Sequence, residues 1–141
     1  METKSKTILT VEAIINAPLE KVWQYWTRPE HITKWNFASD DWHCPTAENE
    51  LRVGGKFTYN MAAKDGSFSF DFWGIYDEVS SKEHLAITLG DNRKMTVNFI
   101  ALGPETMVIE SFEAEAENPI EMQEAGWQAI LNNFKKYVEE N

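Results

Sequence analysis

A chain of 141 residues with 43% hydrophobic and 13% aromatic residues is long enough to bury one core and too apolar to stay disordered. A formal charge of −10 repels phosphate backbones and anionic headgroups, so the partners expected do not include nucleic acid or a membrane surface. One cysteine, Cys44, forbids an internal disulfide and suits a reducing compartment, and METKSKTILTVEAII holds too short an apolar run for a signal peptide. The chain therefore reads as one cytoplasmic domain over residues 1–141, with no run of membrane-spanning length.

Residues 7–16, TILTVEAIIN, are β-branched and apolar and predict a first strand. Ala17-Pro18 opens a short helix, PLEKVWQYW, with Leu19, Val22, Trp23 and Trp26 at helical spacing. Arg28-Pro29 breaks it, and PEHITKW predicts a second short helix with Ile32 and Trp35 facing inward. Residues 36–49, NFASDDWHCPTAEN, keep no clean period and read as a loop, rich in aromatic and ionisable side chains.

The period then changes to two. Phe57, Tyr59 and Met61 alternate with Lys56, Thr58 and Asn60, and Lys64-Asp65-Gly66 supplies a tight turn. SFSFDFWGIYDEV follows, with Phe68, Phe70, Phe72, Gly74 and Tyr76 on one face and Asp71 on the other, toward water. HLAITL, RKMTVNFIAL and ETMVIESFEAE predict three more strands, divided by Gly90-Asp91-Asn92 and Gly103-Pro104. Residues 118–138 then predict a long helix. Met122, Trp127, Ile130, Leu131, Phe134, Tyr137 and Val138 are its apolar residues, forming one stripe from Trp127 onward. Asn118 and Glu121 resemble a capping box, with Pro119 in the first turn.

Hairpin strands flanked by helices imply an α+β layer architecture. The expectation is a curved antiparallel six-stranded sheet around a long C-terminal helix, with two short helices after the first strand. Large side chains must fill the gap between helix and concave face. The sheet offers Phe57, Tyr59, Met61, Phe70, Phe72, Tyr76, Met95, Val97 and Phe99, and the helix offers Trp127, Ile130, Leu131 and Phe134. Trp35, Phe37 and Trp42 join them from the segment before the sheet. These residues either pack solid or line a pocket for a small apolar or aromatic molecule.

Two polar residues are weak catalytic candidates. A histidine's unperturbed pKa lies near neutrality, so His43 would serve as a general base if a carboxylate tuned it; its bland reading is a partly exposed ring bonded to Asp40 or Asp41. Glu110 lies in TMVIESFEAE, where Val108 and Phe112 or Met107 and Ile109 can equally face inward. Alternation leaves its side open; inside, it would carry a raised pKa or need a partner such as His43, Tyr59 or Arg52. Asp40, Asp41, His43 and Cys44 are metal-ligand types, but adjacent side chains seldom converge on one ion, so no metal and no cofactor is expected. Cys44 reads as inert, His31 and His84 take no role, and Gly54-Gly55 reads as a bulge or a close backbone approach.

APLEKVWQYWTRPEHITKW, LRVGGKF, DFWGIYDEV and EAGWQAILNNFKKYVE, in that order, resemble the family named after the activator of the heat-shock protein 90 ATPase. That family lies within the START-like (SRPBCC) helix-grip superfamily, with polyketide cyclases and lipid-transfer domains. The resemblance implies the helix-grip fold and an apolar ligand between helix and sheet. It does not imply co-chaperone activity, since the heat-shock name belongs to one domain of a larger protein. Three functions follow as expectations: a binding protein for a small hydrophobic molecule, an acid-base enzyme of polyketide cyclase type, or an interaction protein. The last would take a chaperone partner, and the chain would be a monomer or a homodimer; exposed Trp42 or Trp73 would favour it.

Overall fold

The computed structural model describes residues 7–141, so part of the signal-peptide reading lies outside the described residues. In chain order these residues form β1 (Ile8–Ile15), α1 (Leu19–Thr27), α2 (Pro29–Trp35), β2 (Trp42–His43), β3 (Ala47–Asn49) and β4 (Lys56–Ala63). Then come β5 (Ser69–Ser80), β6 (His84–Leu89), β7 (Lys94–Leu102), β8 (Glu105–Glu113) and α3 (Ile120–Glu140). The strands make one antiparallel sheet in the order β1-β8-β7-β6-β5-β4-β2, with β3 also on β4. It curls around α3 as a half-barrel, the helix-grip arrangement. Among the described residues no helix is long and apolar enough to cross a membrane.

The strand count corrects the expected six to eight, and the two additions come from the segment read as a loop. Trp42 and His43 pair with Ala63 and Ala62, while Ala47–Asn49 pair with Tyr59–Phe57. Both strands are too short to show a period of their own. They exist because the free edge of β4 offers unpaired backbone groups.

The helix start differs too. Pro119 is the N-cap of α3 and no side chain caps it. Asn118 instead donates both its backbone N–H and its side-chain amide to Glu115. The buried Gln123 ties the turn together: its Oε1 accepts from Glu115 N at 2.8 Å, and its Nε2 donates to Glu115 O at 3.1 Å and Asn118 O at 2.8 Å. Met122 is 61% exposed, outside the stripe.

Side chains from one flank of α3 fasten it to β1. Gln128 Nε2 donates to Glu12 O at 3.1 Å, Lys135 Nζ to Ile14 O at 2.7 Å, and Glu139 accepts from Asn16 N at 2.8 Å. On the other flank Asn133 Nδ2 donates to Trp35 O at 2.7 Å. The helix is thus held on both sides of the sheet opening. The double glycine before β4 makes a tight reversal: a Cβ on Gly55 would stand 2.0 Å from Glu50 O. At Gly126 a Cβ would meet nothing within 4 Å, so this glycine serves no close approach of helix to sheet.

Candidate functional site

Alternation on β8 is settled by its neighbours. Thr106, Val108, Glu110 and Phe112 point inward and are buried. Glu110 lies in register with Val11 on β1 and Val97 on β7, both buried. The inward parity of the sheet brings Phe112 under Trp127 in the N-terminal half of α3, with Glu110 two residues before it on the same face.

There the interface is hollow. A cavity of about 300 Å³ lies between α3 and the concave sheet. Twelve of the residues expected to bind a ligand line it: Trp35, Phe57, Tyr59, Met61, Phe70, Phe72, Tyr76, Met95, Val97, Glu110, Trp127 and Ile130. Trp127 stacks on Phe112 with centroids 3.8 Å apart and meets Phe72 edge-on at 6.0 Å. Phe57 stacks on Tyr59 at 4.7 Å, continuing the aromatic wall along β4. Phe70, 44% exposed, reaches from the cavity lining to the surface.

Five expected ligand-binding residues lie elsewhere. Leu131 and Phe134 are on the same helix but packed solid, and Phe99 packs edge-on against Trp23 at 5.2 Å. Phe37 is half-buried beside α2, and Trp42 lies on β2 against Phe68 and Phe70 at 6.1 and 6.2 Å. Phe68, expected inward with its alternate neighbours, is 58% exposed. Trp73 is also exposed, with Lys56 Nζ 4.5 Å over its ring.

Sequence reasoning missed Trp26, Asn36, Leu85, Ile87, Arg93 and Glu115, which also line the cavity. Leu85 and Ile87 alternate in HLAITL and carried a usable signal, as did Trp26 on the stripe of α1. Asn36, Arg93 and Glu115 sit at element ends, where no period applies.

The cavity's polar groups are few. Glu110 is 6% exposed, and among the described residues no hydrogen bond or ion pair reaches its carboxyl group. Desolvation alone pushes its pKa from about 4.5 up to about 8. Burial, with the Tyr76 hydroxyl beside it, holds the Tyr59 phenol well above its usual range. Tyr76, also raised by burial to about 12, donates to Asn49 Oδ1 at 2.6 Å, and Asn49 Nδ2 donates to Thr27 O at 2.7 Å. Asn36 Nδ2 is buried with no partner beyond a weak approach to the Cys44 sulfur.

His43 is half-buried on β2 and outside the cavity lining, so the two catalytic candidates do not meet. Asp41 accepts from Ser39 Oγ at 2.5 Å rather than from His43. Of the other partners considered for Glu110, Tyr59 shares the cavity lining but its hydroxyl lies beside Tyr76, and Arg52 pairs with exposed Glu50 at 3.0 Å. Cys44 is buried, its thiol pushed up to about 11 by desolvation and donating to Thr46 O at 3.4 Å; a thiolate nucleophile is not available there. Among the described residues no group of three or more His, Cys, Asp or Glu is placed to hold a metal ion.

The comparisons agree with this architecture. The family model described as "Activator of Hsp90 ATPase homolog 1-like protein" matches residues 16–139. The solution structure of the AHSA1-like protein from Aeromonas hydrophila is 42% identical, with a TM-score of 0.89 over 95% of this chain and 93% of that one. A Cytophaga hutchinsonii protein is 53% identical, with a TM-score of 0.81 over 94% and 92%. A Chromobacterium violaceum protein at 22% identity shares the fold, with a TM-score of 0.84 over 96% and 99%. No curated protein matches.

Proposed function

The chain belongs to the family of activator of Hsp90 ATPase homolog 1-like proteins, and on that premise we propose that it binds a small apolar or aromatic molecule between α3 and the sheet. The fold commonly holds hydrophobic ligands. The observation that carries the reading is the cavity itself, about 300 Å³ lined mainly by aromatic and aliphatic side chains. A core that existed only for stability would close such a space, because interiors pack to the density of organic crystals. The volume stands at the lower end of the roughly 300–1,000 Å³ range of ligand pockets, which suits one or two fused rings better than a sterol.

The test is thermal unfolding with a panel of fatty acids, sterols and one- to three-ring aromatics. A two-ring ligand at about 100 times its Kd adds about 2.7 kcal/mol, a rise in Tm of several degrees. Ile130→Trp, which fills the cavity, removes that rise without unfolding the protein. A panel with no stabilisation contradicts the proposal.

A second reading, an acid-base enzyme, draws on Glu110. A carboxylic acid held neutral at pH 7 in a mostly apolar pocket can donate a proton to a bound carbonyl or leaving group. Its signature is a Glu110→Gln variant that still binds ligand but forms no product. An interaction with a chaperone, or a homodimer, would draw on the aromatic ridge of Trp42, Phe68 and Phe70. Light scattering at two concentrations, before and after Phe68→Ser, decides whether that ridge associates.

A further inference from the structure

Glu110 occupies a position that a purely structural role does not explain. Its row across the sheet is Val11, Glu110, Val97, and both neighbours are buried valines. A third β-branched residue would complete that row at no electrostatic cost. Instead a carboxyl group stands 6% exposed in an apolar cavity, with no donor or cation from the described residues to meet it. A buried ionisable group without a protein partner is costly, so a ligand that brings a complementary group gains by meeting it.

We infer that the cavity takes a small organic cation, a primary or secondary amine on an aromatic or aliphatic body, whose ammonium pairs with Glu110. This deepens the ligand-binding reading and rests on it. The rest of the lining selects the same sign of charge. Its titratable and charged side chains, besides Glu110, are Tyr59, Tyr76, Arg93 and Glu115. Arg93 is already engaged: its Nε meets Asp91 Oδ2 at 2.6 Å and its Nη1 donates to Glu113 O at 3.1 Å. Arg93 is the one cation of this lining and Asp91 already offsets its charge, whereas an anionic ligand would also face Glu110 and Glu115. Tyr76 directs its hydroxyl proton to Asn49, away from a guest. Asn36 Nδ2 offers one neutral donor, fit for an uncharged oxygen on the same ligand.

The apolar walls add to the selection. Phe57, Tyr59, Phe72 and Trp127 present ring faces or edges to the space, and aromatic faces attract a desolvated cation. The net charge of −10 raises the local concentration of cations around the whole molecule. Pairing has a proton balance that can be measured. Below about pH 8 the empty protein holds Glu110 neutral, and the amine arrives already protonated. Forming the ammonium–carboxylate pair then releases the Glu110 proton to solvent, close to one per ligand bound. Affinity for the amine consequently rises with pH until Glu110 is ionised in the free protein.

Isothermal calorimetry with three probes of one shape tests this: 1-naphthylmethylamine, 1-naphthalenemethanol and 1-naphthoate, in two buffers of different ionisation enthalpy. The amine binds at least tenfold tighter than the alcohol at pH 8, gains at least tenfold in affinity between pH 6 and pH 8, and releases close to one proton at pH 6.5. In Glu110→Gln the amine loses tenfold or more, the proton release disappears, and the alcohol stays within threefold of wild type. If the alcohol or naphthoate binds more tightly than the amine, or Glu110→Gln leaves amine affinity unchanged, the inference fails while the cavity reading stands. If none of the three binds, both fall.

Discussion

Beneath the C-terminal half of α3 the interface is solid; beneath its N-terminal half it is hollow. Leu131, Phe134 and Val138 have no exposed surface, and α1 and α2 bring tryptophans onto Phe134. Phe134 meets Trp26 edge-on at 4.9 Å and Trp35 at 4.7 Å, and Trp26 reaches Phe99 at 5.8 Å. Toward the N-terminus Trp127 and Ile130 border a space of about 300 Å³ that Trp26 and Trp35 line without filling. The two halves use the same residue types. What separates them is whether the tryptophans of α1 and α2 pack directly on the helix residue, as on Phe134, or only border the space, and Glu110 lies in the hollow half.

The comparison breaks most visibly under truncation. Phe134→Ala removes a ring enclosed on every side and destabilises by about 3–5 kcal/mol in denaturant unfolding. Ile130→Ala trims a side chain that already borders open space and costs about 1 kcal/mol, since little new cavity surface is created. Equal losses at the two positions would mean that the hollow half closes in solution.

Glu110→Gln sharpens the same division through pH. The unfolded chain gives up this proton near pH 4.5, whereas the folded protein keeps it to about pH 8. Between those values the folded state holds the extra proton, so wild-type stability falls as pH rises and levels off above pH 8. Glutamine removes that slope. Relative to wild type the variant gains about 4–5 kcal/mol at pH 8.5 and almost nothing at pH 4. A constant difference across the range would place the carboxyl in water. Smallest in effect is Gly126→Ala, which adds about 0.5–1 kcal/mol, because a methyl there meets nothing and alanine loses less backbone freedom in a helix.

The sequence made the helix-grip order legible because each large element carries its own period. The stripe on α3, the alternation in β4 to β8 and the two Pro-started short helices are local patterns, and each element formed where its pattern lay, although Phe68 falls before β5 and is exposed. What escaped was set by contacts distant in the chain. β2 and β3 take their conformation from the edge of β4, as no run of two or three residues can announce a strand. The facing of Glu110 was undecidable because Met107 and Ile109 make as apolar a face as Val108 and Phe112; the register with β1 and β7 decides it. Trp127 and Phe134 belong to one stripe, and only the placement of Trp26 and Trp35 makes one a cavity wall and the other a core residue.

The most direct measurement follows the side-chain methyls of Ile130 and Leu131 by NMR during titration with a two-ring aromatic ligand. The two residues are adjacent in sequence but lie on opposite sides of the boundary between hollow and solid. The account predicts large, saturable shifts at Ile130 and small ones at Leu131, with the Ile130 shifts lost in a cavity-filled variant such as Val97→Phe. Saturable shifts confined to surface residues, or none at Ile130 at ligand concentrations that saturate calorimetric binding, would contradict it.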